Sequence, residues 1–357
     1  MFQSFDAKTD PAQGRERLPR LRQWLAEHRL DGFLVPRADE HQGEYVPPCS
    51  ERLRWLTGFT GSAGAAVILA DKALLFVDGR YTLQAREQAD PSLFTIESLV
   101  DLPPDKWMRL HLTRGTRIGF DPWLHTIGEA ERLADSAKEK GAELVALDRN
   151  PIDLLWKDRP ELPLEPAEIH PAEYAGELAA DKLRRLADAV REAGATFTVL
   201  TDPSSLAWAF NIRGHDVPHT PLALGFAVIA ADGAHRLFMD ERKLSIEVKA
   251  YLTQLADLFQ PDRLEPELVA LAKSGAAIGL DPVLAADRLR QLVEENGGKY
   301  IALSDPARLP RATKNEAEIA GTRTAHRRDG AAMTKFLAWL DRQQPGSLDE
   351  IGAATAL

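Results

Sequence analysis

A single cysteine, Cys49, stands in a chain of 357 residues. That excludes an intramolecular disulfide and any cysteine-built metal cluster, and it suits a reducing cytoplasm, the location expected for this chain. No apolar run approaches the ~18 residues a membrane-spanning helix needs, so no membrane is expected among the partners. The opening stretch MFQSFDAKTD holds acidic residues and lacks the apolar segment of a secretory signal. Positive charge is also short. Lys and Arg number 44 against 54 Asp and Glu, a net charge of −10, whereas nucleic-acid binding asks for a basic surface. With these classes set aside, 44% hydrophobic and 27% charged residues describe globular protein, and 357 residues predict more than one core.

What the chain does have is a repeat of itself. A helical pattern at 18–28 precedes the apolar run Phe33-Leu34-Val35, and a second at 186–192 precedes Phe197-Thr198-Val199-Leu200. LRWLTGF at 53–59 is answered by LAWAFNI at 206–212. Two apolar strands follow in each half, at 65–69 and 74–77 and again at 226–229 and 236–239, with Asp71 in the first turn and Asp232-Gly233 in the second. Asp-Gly between apolar runs signals a hairpin, because glycine supplies the positive φ of the turn. Each hairpin leads to a short acidic-basic motif, Asp78-Gly79-Arg80 or Asp240-Glu241-Arg242. IGFDP at 118–122 matches IGLDP at 278–282, each followed by an amphipathic helix and a strand. Trp55 to Trp208 is 153 residues, Asp78 to Asp240 is 162, and Ile118 to Ile278 is 160. Order and spacing kept over five elements predict two tandem α/β domains of one kind, with mixed sheets flanked by helices.

The first domain is placed at 1–148 and the second at 167–305. Between them, 149–166 holds Pro151, Pro160, Pro163 and Pro166 and is expected to be a stiff, extended connector. From 306 a third segment begins. Asn315 and Glu318 have capping-box spacing, opening a helix predicted to reach about Arg342, with Ile319, Met333, Phe336, Leu337 and Leu340 on its buried side. Ser347 and Glu350 have the same spacing ahead of another helix. Two helices alone seldom make a core, so residues 306–357 read as the truncated start of a third domain.

These residues resemble a known family. GFTGSAG at 58–64 and VDGRYTLQA at 77–85 are similar to first-domain signatures of the long Xaa-Pro aminopeptidases, or aminopeptidase P. DLLWKDRPELP at 153–163 resembles their interdomain linker and AWAFNIRGHDVPHTP at 207–221 their second-domain signature. KNEAEIAGTRTAHRRDGAAMTKFLAWLD at 314–341 resembles the entry to their catalytic domain. The resemblance implies two creatinase-N-like domains followed by an α+β "pita-bread" domain that holds two divalent metal ions, usually manganese. It implies a metallo-exopeptidase that removes the N-terminal residue from peptides with proline second, dimeric through that last domain. No family metal-ligand motif occurs before Leu357, so no metal and no catalytic residue is assigned to this chain. About 250 further residues are expected in the parent protein, and the fragment alone is expected to be inactive, to gate the entrance, and to be monomeric. The rival class is a non-catalytic module that binds a peptide or protein.

His215 and His219 have the i, i+4 spacing of a zinc-binding helix, but Pro218 interrupts it and the glutamate of the zinc motif is absent, which favours a loop without metal. Arg213, Asp216 and His219 either face the substrate's entrance or, for Arg213 and Asp216, form a local ion pair that holds the loop. Asp78 and Arg80 either fix a turn, or Arg80 or Arg54 reaches substrate or a neighbouring subunit. His41, Glu44 and Tyr45 read as a polar surface loop after the first strand. Gly58, Gly61 and Gly64 precede a strand and not a helix, unlike a dinucleotide fingerprint. Ser62 lacks a nucleophile elbow. Cys49 has no basis as a nucleophile, and Trp55 and Trp208 read as packing.

Overall fold

A computed structural model describes Phe5 and residues 9–357. The first sheet contains β1 (Gly32–Pro36), β2 (Gly64–Leu69), β3 (Ala73–Val77), β4 (Thr95–Ser98), β5 (Arg117–Phe120) and β6 (Glu143–Ala146), in the order β4-β3-β2-β1-β5-β6. A two-stranded ribbon pairs β7 (Glu168–Ile169) with β9 (Ile212–Arg213). The second large sheet takes in β8 (Phe197–Leu200), β10 (Phe226–Ala230), β11 (Arg236–Phe238), β12 (Asp257–Phe259), β13 (Ala277–Leu280) and β14 (Lys299–Ala302), ordered β12-β11-β10-β8-β13-β14. The two orders are one topology. In each, the central strand pairs antiparallel with the hairpin and parallel with the strand of the IGxDP motif. Even the register repeats, Phe33 against Gly119 and Thr198 against Gly279.

Each sheet is buried on both faces, and alternation along the strands decides which core a side chain joins. Phe33, Val35, Ile68 and Leu75 meet Leu18, Leu21 and Leu25 of the helix Gly14–Glu27, whereas Leu34, Val67 and Phe76 meet Met108 and Leu133 on the other side. Gly58 ends the helix Arg52–Thr57 with φ +89°, a left-handed cap, and a Cβ there would sit 2.4 Å from the Gln88 carbonyl. Trp55 and Trp208 are buried at equivalent places, each with a cation over its ring: Arg17 at 4.8 Å and Lys182 at 4.6 Å.

The domains meet beyond the carboxyl ends of β5 and β13, and the bonds are reciprocal. Ile127 N–H donates to the Ala285 carbonyl while Asp287 N–H donates to that of His125. Gly128 N–H donates to Pro282 while Arg288 N–H donates to Pro122. Thr126 and Ala286 bridge antiparallel between them. With the offset of 160 residues, each bond is the image of its partner, so a pseudo-two-fold axis passes between Thr126 and Ala286. Ile127 crosses that axis into the second domain's core.

Three expectations need correction. The connector is not extended from its start: Pro151–Leu155 is a helix, capped by Asn150, whose side chain accepts from Ile152 N–H. Proline at the first helical position loses no bond, and Ile152 is fully buried in the first domain's core. The long helix runs Glu316–Leu340 with the capping box of Asn315 and Glu318 in place, yet none of its residues is buried. Met333, Leu337 and Leu340 are exposed; among the described residues the helix packs chiefly on the short helix Ala172–Ala175 near its start. Finally, Ser347 caps nothing. Asp349 is the cap of the helix Glu350–Ala356, accepting from Gly352 N–H, while Ser347 Oγ donates to the Gln344 carbonyl.

Candidate functional site

In open α/β sheets, ligands gather outside the carboxyl ends of the strands, where the strand order reverses. Here the loops that follow those ends bond to the opposite domain. His41, expected on the surface, lies in this seam: its Nδ1 is 3.1 Å from the Thr201 carbonyl and its ring stacks on Phe226 at 4.3 Å. Tyr45 and Glu44 beside it are exposed. Room for a ligand lies along the seam instead, in a cavity of about 540 Å³ walled by both domains and the connector.

Arg52 is the charged centre of that wall, with its side chain 2% exposed. It donates through Nε and Nη2 to both oxygens of Asp153 at 2.7 and 3.0 Å and through Nη2 to Glu40 at 2.9 Å. Burial works against its charge, but the Asp153 bond and the Glu40 charge outweigh it and leave the guanidinium held above its ordinary pKa. Arg159 closes the network, 2.8 Å from Asp153. Cys49 is buried beside it and burial pushes its thiol pKa up, which removes thiolate and reactivity. Sequence reasoning missed this network because its central pair, Arg52 and Asp153, lies 101 residues apart, with no local spacing to announce it.

Asp78 and Arg80 form a bidentate pair, with Nε 3.2 and 3.1 Å and Nη2 2.6 Å from the carboxylate, and Asp78 also accepts from Arg80 N–H. Asp240 and Arg242 copy it. The Arg80 bond holds Asp78 below the usual carboxylate range, and Arg242 takes Asp240 down to about 2. A motif repeated in both domains with the same internal bonds closes a turn. Arg54 pairs with Glu51 at 2.7 Å. Gly61 packs under the Phe59 ring, and Ser62 Oγ lies 2.9 Å from the Tyr81 hydroxyl.

The local ion pair of Arg213 with Asp216, one of the two alternatives, does not form. Arg213 donates to the Ala207 and Ile212 carbonyls, and Asp216 faces Lys243 instead at 2.6 Å. Asp216 also accepts from Leu224 N–H at 2.7 Å and Glu165 N–H at 3.2 Å, which ties the loop to the connector. Its side chain is fully buried and Lys243 is 5% exposed. Asp216 chose a lysine 27 residues away because a buried carboxylate needs a buried cation, while Arg213 is half-exposed. Arg213 shares its neighbourhood with His170 and Lys182. Burial lowers all three pKa values, that of Lys182 to about 8, while the Glu318 carboxylate opposes the shift at each.

His215 and His219 do not fit a metal centre. Both are exposed in an irregular loop, and His219 takes φ +60°. Among the described residues, no group of three or more His, Cys, Asp and Glu side chains is placed to hold a metal ion. No helix among them is long and apolar enough to cross a membrane.

Comparison with known proteins agrees with this geometry. Residues 17–154 match a creatinase/prolidase N-terminal domain, and residues 158–318 match a second family of the same description. The probable Xaa-Pro aminopeptidase P of Aspergillus niger is 36% identical over 354 residues, covering 96% of this chain and 58% of its own length. That of Aspergillus clavatus is 35% identical, with 96% and 54% covered. The X-prolyl aminopeptidase of Caenorhabditis elegans, a cytosolic enzyme with a di-nuclear active site, superposes with a TM-score of 0.88 at 27% identity, over 96% of this chain and 58% of that one. This chain thus spans little more than half the length of these relatives. Matched in both halves, in order, and with one sheet topology repeated, it belongs to the creatinase/prolidase N-terminal domain family, as two such domains in tandem like those of the aminopeptidase P chains.

Proposed function

We propose that these 357 residues are the accessory, substrate-admitting part of an Xaa-Pro aminopeptidase, which releases the N-terminal residue from peptides with proline in second position. The observation that carries this reading is the match to aminopeptidase P chains through both domains and on into the C-terminal helices, 96% of this chain. The two metal ions, manganese in this reading, sit outside these residues, since nothing described here fits them. The di-nuclear site of the Caenorhabditis elegans neighbour supports the number, and that neighbour's cytosolic location supports a cytoplasmic one. The complete protein is a homodimer in this reading, joined through its catalytic domain.

Arg213 and His219 stand at the entrance, and Arg80 is an outer contact. Arg213 meets a peptide's carboxylate or carbonyls from the side away from the scissile bond. It suits that task because it forms no ion pair among the described residues and is half-buried, in the neighbourhood of His170 and Lys182. Asp216 anchors the loop from beneath. The test is Arg213→Ala in the protein made from the complete reading frame, with an Arg-Pro-Pro peptide and manganese. KM is expected to rise about tenfold with kcat little changed, the pattern of lost uniform binding. Unchanged kcat/KM would leave Arg213 a structural role. Equal hydrolysis of Arg-Pro-Pro and Arg-Ala-Pro would overturn the Xaa-Pro reading.

A further inference from the structure

The seam between the domains opens into two cavities, about 540 and 630 Å³, that meet at Glu40, Phe226 and Pro261. Their walls are largely apolar: Trp123 lines one side, and Leu162 and Leu164 of the connector line the other. Residues 160–164 of the connector belong to no helix or strand. Among the described residues, the N–H groups of Glu161, Leu162 and Leu164 and the carbonyls of 160–164 have no hydrogen-bond partner. A run of unpaired main chain beside an apolar trough is what an extended peptide pairs with.

The charge of the cleft selects among peptides. Every cation on its walls is already held: Arg52 by Glu40 and Asp153, Arg159 by Asp153, Lys243 by Asp216, and Arg288 by Glu265. Glu161 and Asp262, by contrast, are exposed at the rim and have no ion pair among the described residues. The free charge of the cleft is therefore negative, in a chain whose net charge is −10.

We propose that this interdomain cleft is a docking site for an extended peptide segment that alternates apolar residues with lysine or arginine. Apolar side chains enter the trough between Trp123 and the connector, main-chain groups pair with 161–164, and the basic residues reach Glu161 and Asp262. The site asks for no proline and does not depend on the aminopeptidase reading.

The experiment titrates the 357-residue chain, at low salt, into a short fluorescein-labelled peptide alternating leucine and lysine, and into its leucine–glutamate counterpart. Anisotropy is expected to show saturable binding of the lysine peptide, at least about tenfold tighter than its counterpart. The double variant Glu161→Lys/Asp262→Lys should abolish that preference, and Leu162→Ser, at a side chain 66% exposed, should weaken the lysine peptide. Glu173→Lys, an exposed carboxylate on the helix Ala172–Ala175, should change nothing. All of these side chains are exposed, so folding is spared, and urea unfolding of each variant confirms it. Equal affinity for the two peptides, a preference that survives in the double variant, or no saturable binding at all would overturn the proposal.

Discussion

Asp216 shows how a residue that looks like chemistry can be framework. A carboxylate in a polar loop between two histidines invites a binding role, yet its oxygens are filled by Lys243, Leu224 and Glu165. Removing one member of a buried pair leaves the other charged and unpaired, at a cost of about 3–5 kcal/mol. Asp216→Ala should lose about that much stability in urea unfolding, and adding Lys243→Met should recover a good part of it, because the stranded charge goes with it. A loss below about 1 kcal/mol for the single variant would mean that the pair holds nothing. Nothing in the sequence near Asp216 names Lys243. The pairing belongs to the tertiary structure, and only burial of the loop makes it compulsory.

Among the elements, the β10–β11 hairpin carries a titratable strut. Ala230 N–H donates to His235 Nδ1 at 3.2 Å, so the ring must be neutral at that nitrogen. His235 is buried, and burial pushes its pKa below the ordinary 6.5, with Asp232 pulling partly the other way. The unfolded chain therefore takes up the proton first as pH falls. Stability from this residue is complete above 6.5 and is lost as pH drops from there toward the lowered folded value. His170 is lowered too, so the difference between wild type and His235→Gln isolates the effect. The stability gap should narrow between about pH 7.5 and about pH 5.5; a gap constant with pH would rule out the strut. The hairpin itself was legible, because Asp232-Gly233 and the alternating strands are local signals. The helix Pro151–Leu155 was not: four prolines spoke for an extended chain, and only the burial of Ile152 explains why the first of them starts a helix. The buried stripe predicted for Glu316–Leu340 failed for the converse reason. Apolar spacing announces a face, but burial needs something to lie against it.

On the scale of the whole molecule, the duplication was readable because strand order and motif spacing are written locally, twice. The pseudo-two-fold seam was not, since Ile127, Ala285, Asp287 and His125 carry no mark of meeting until both domains are folded. The seam brings loops of both domains together along the interdomain cleft, and the proposed account sets the peptidase chemistry apart from them. The most direct measurement of that account is hydrolysis of an Arg-Pro-Pro peptide with manganese, by the 357-residue chain and by the protein from its complete reading frame side by side. Release of arginine by the complete protein alone would place the chemistry outside these domains, as the account predicts. Turnover by the 357-residue chain itself would contradict it and turn attention to a catalytic site within these residues, with His215 and His219 the first to replace.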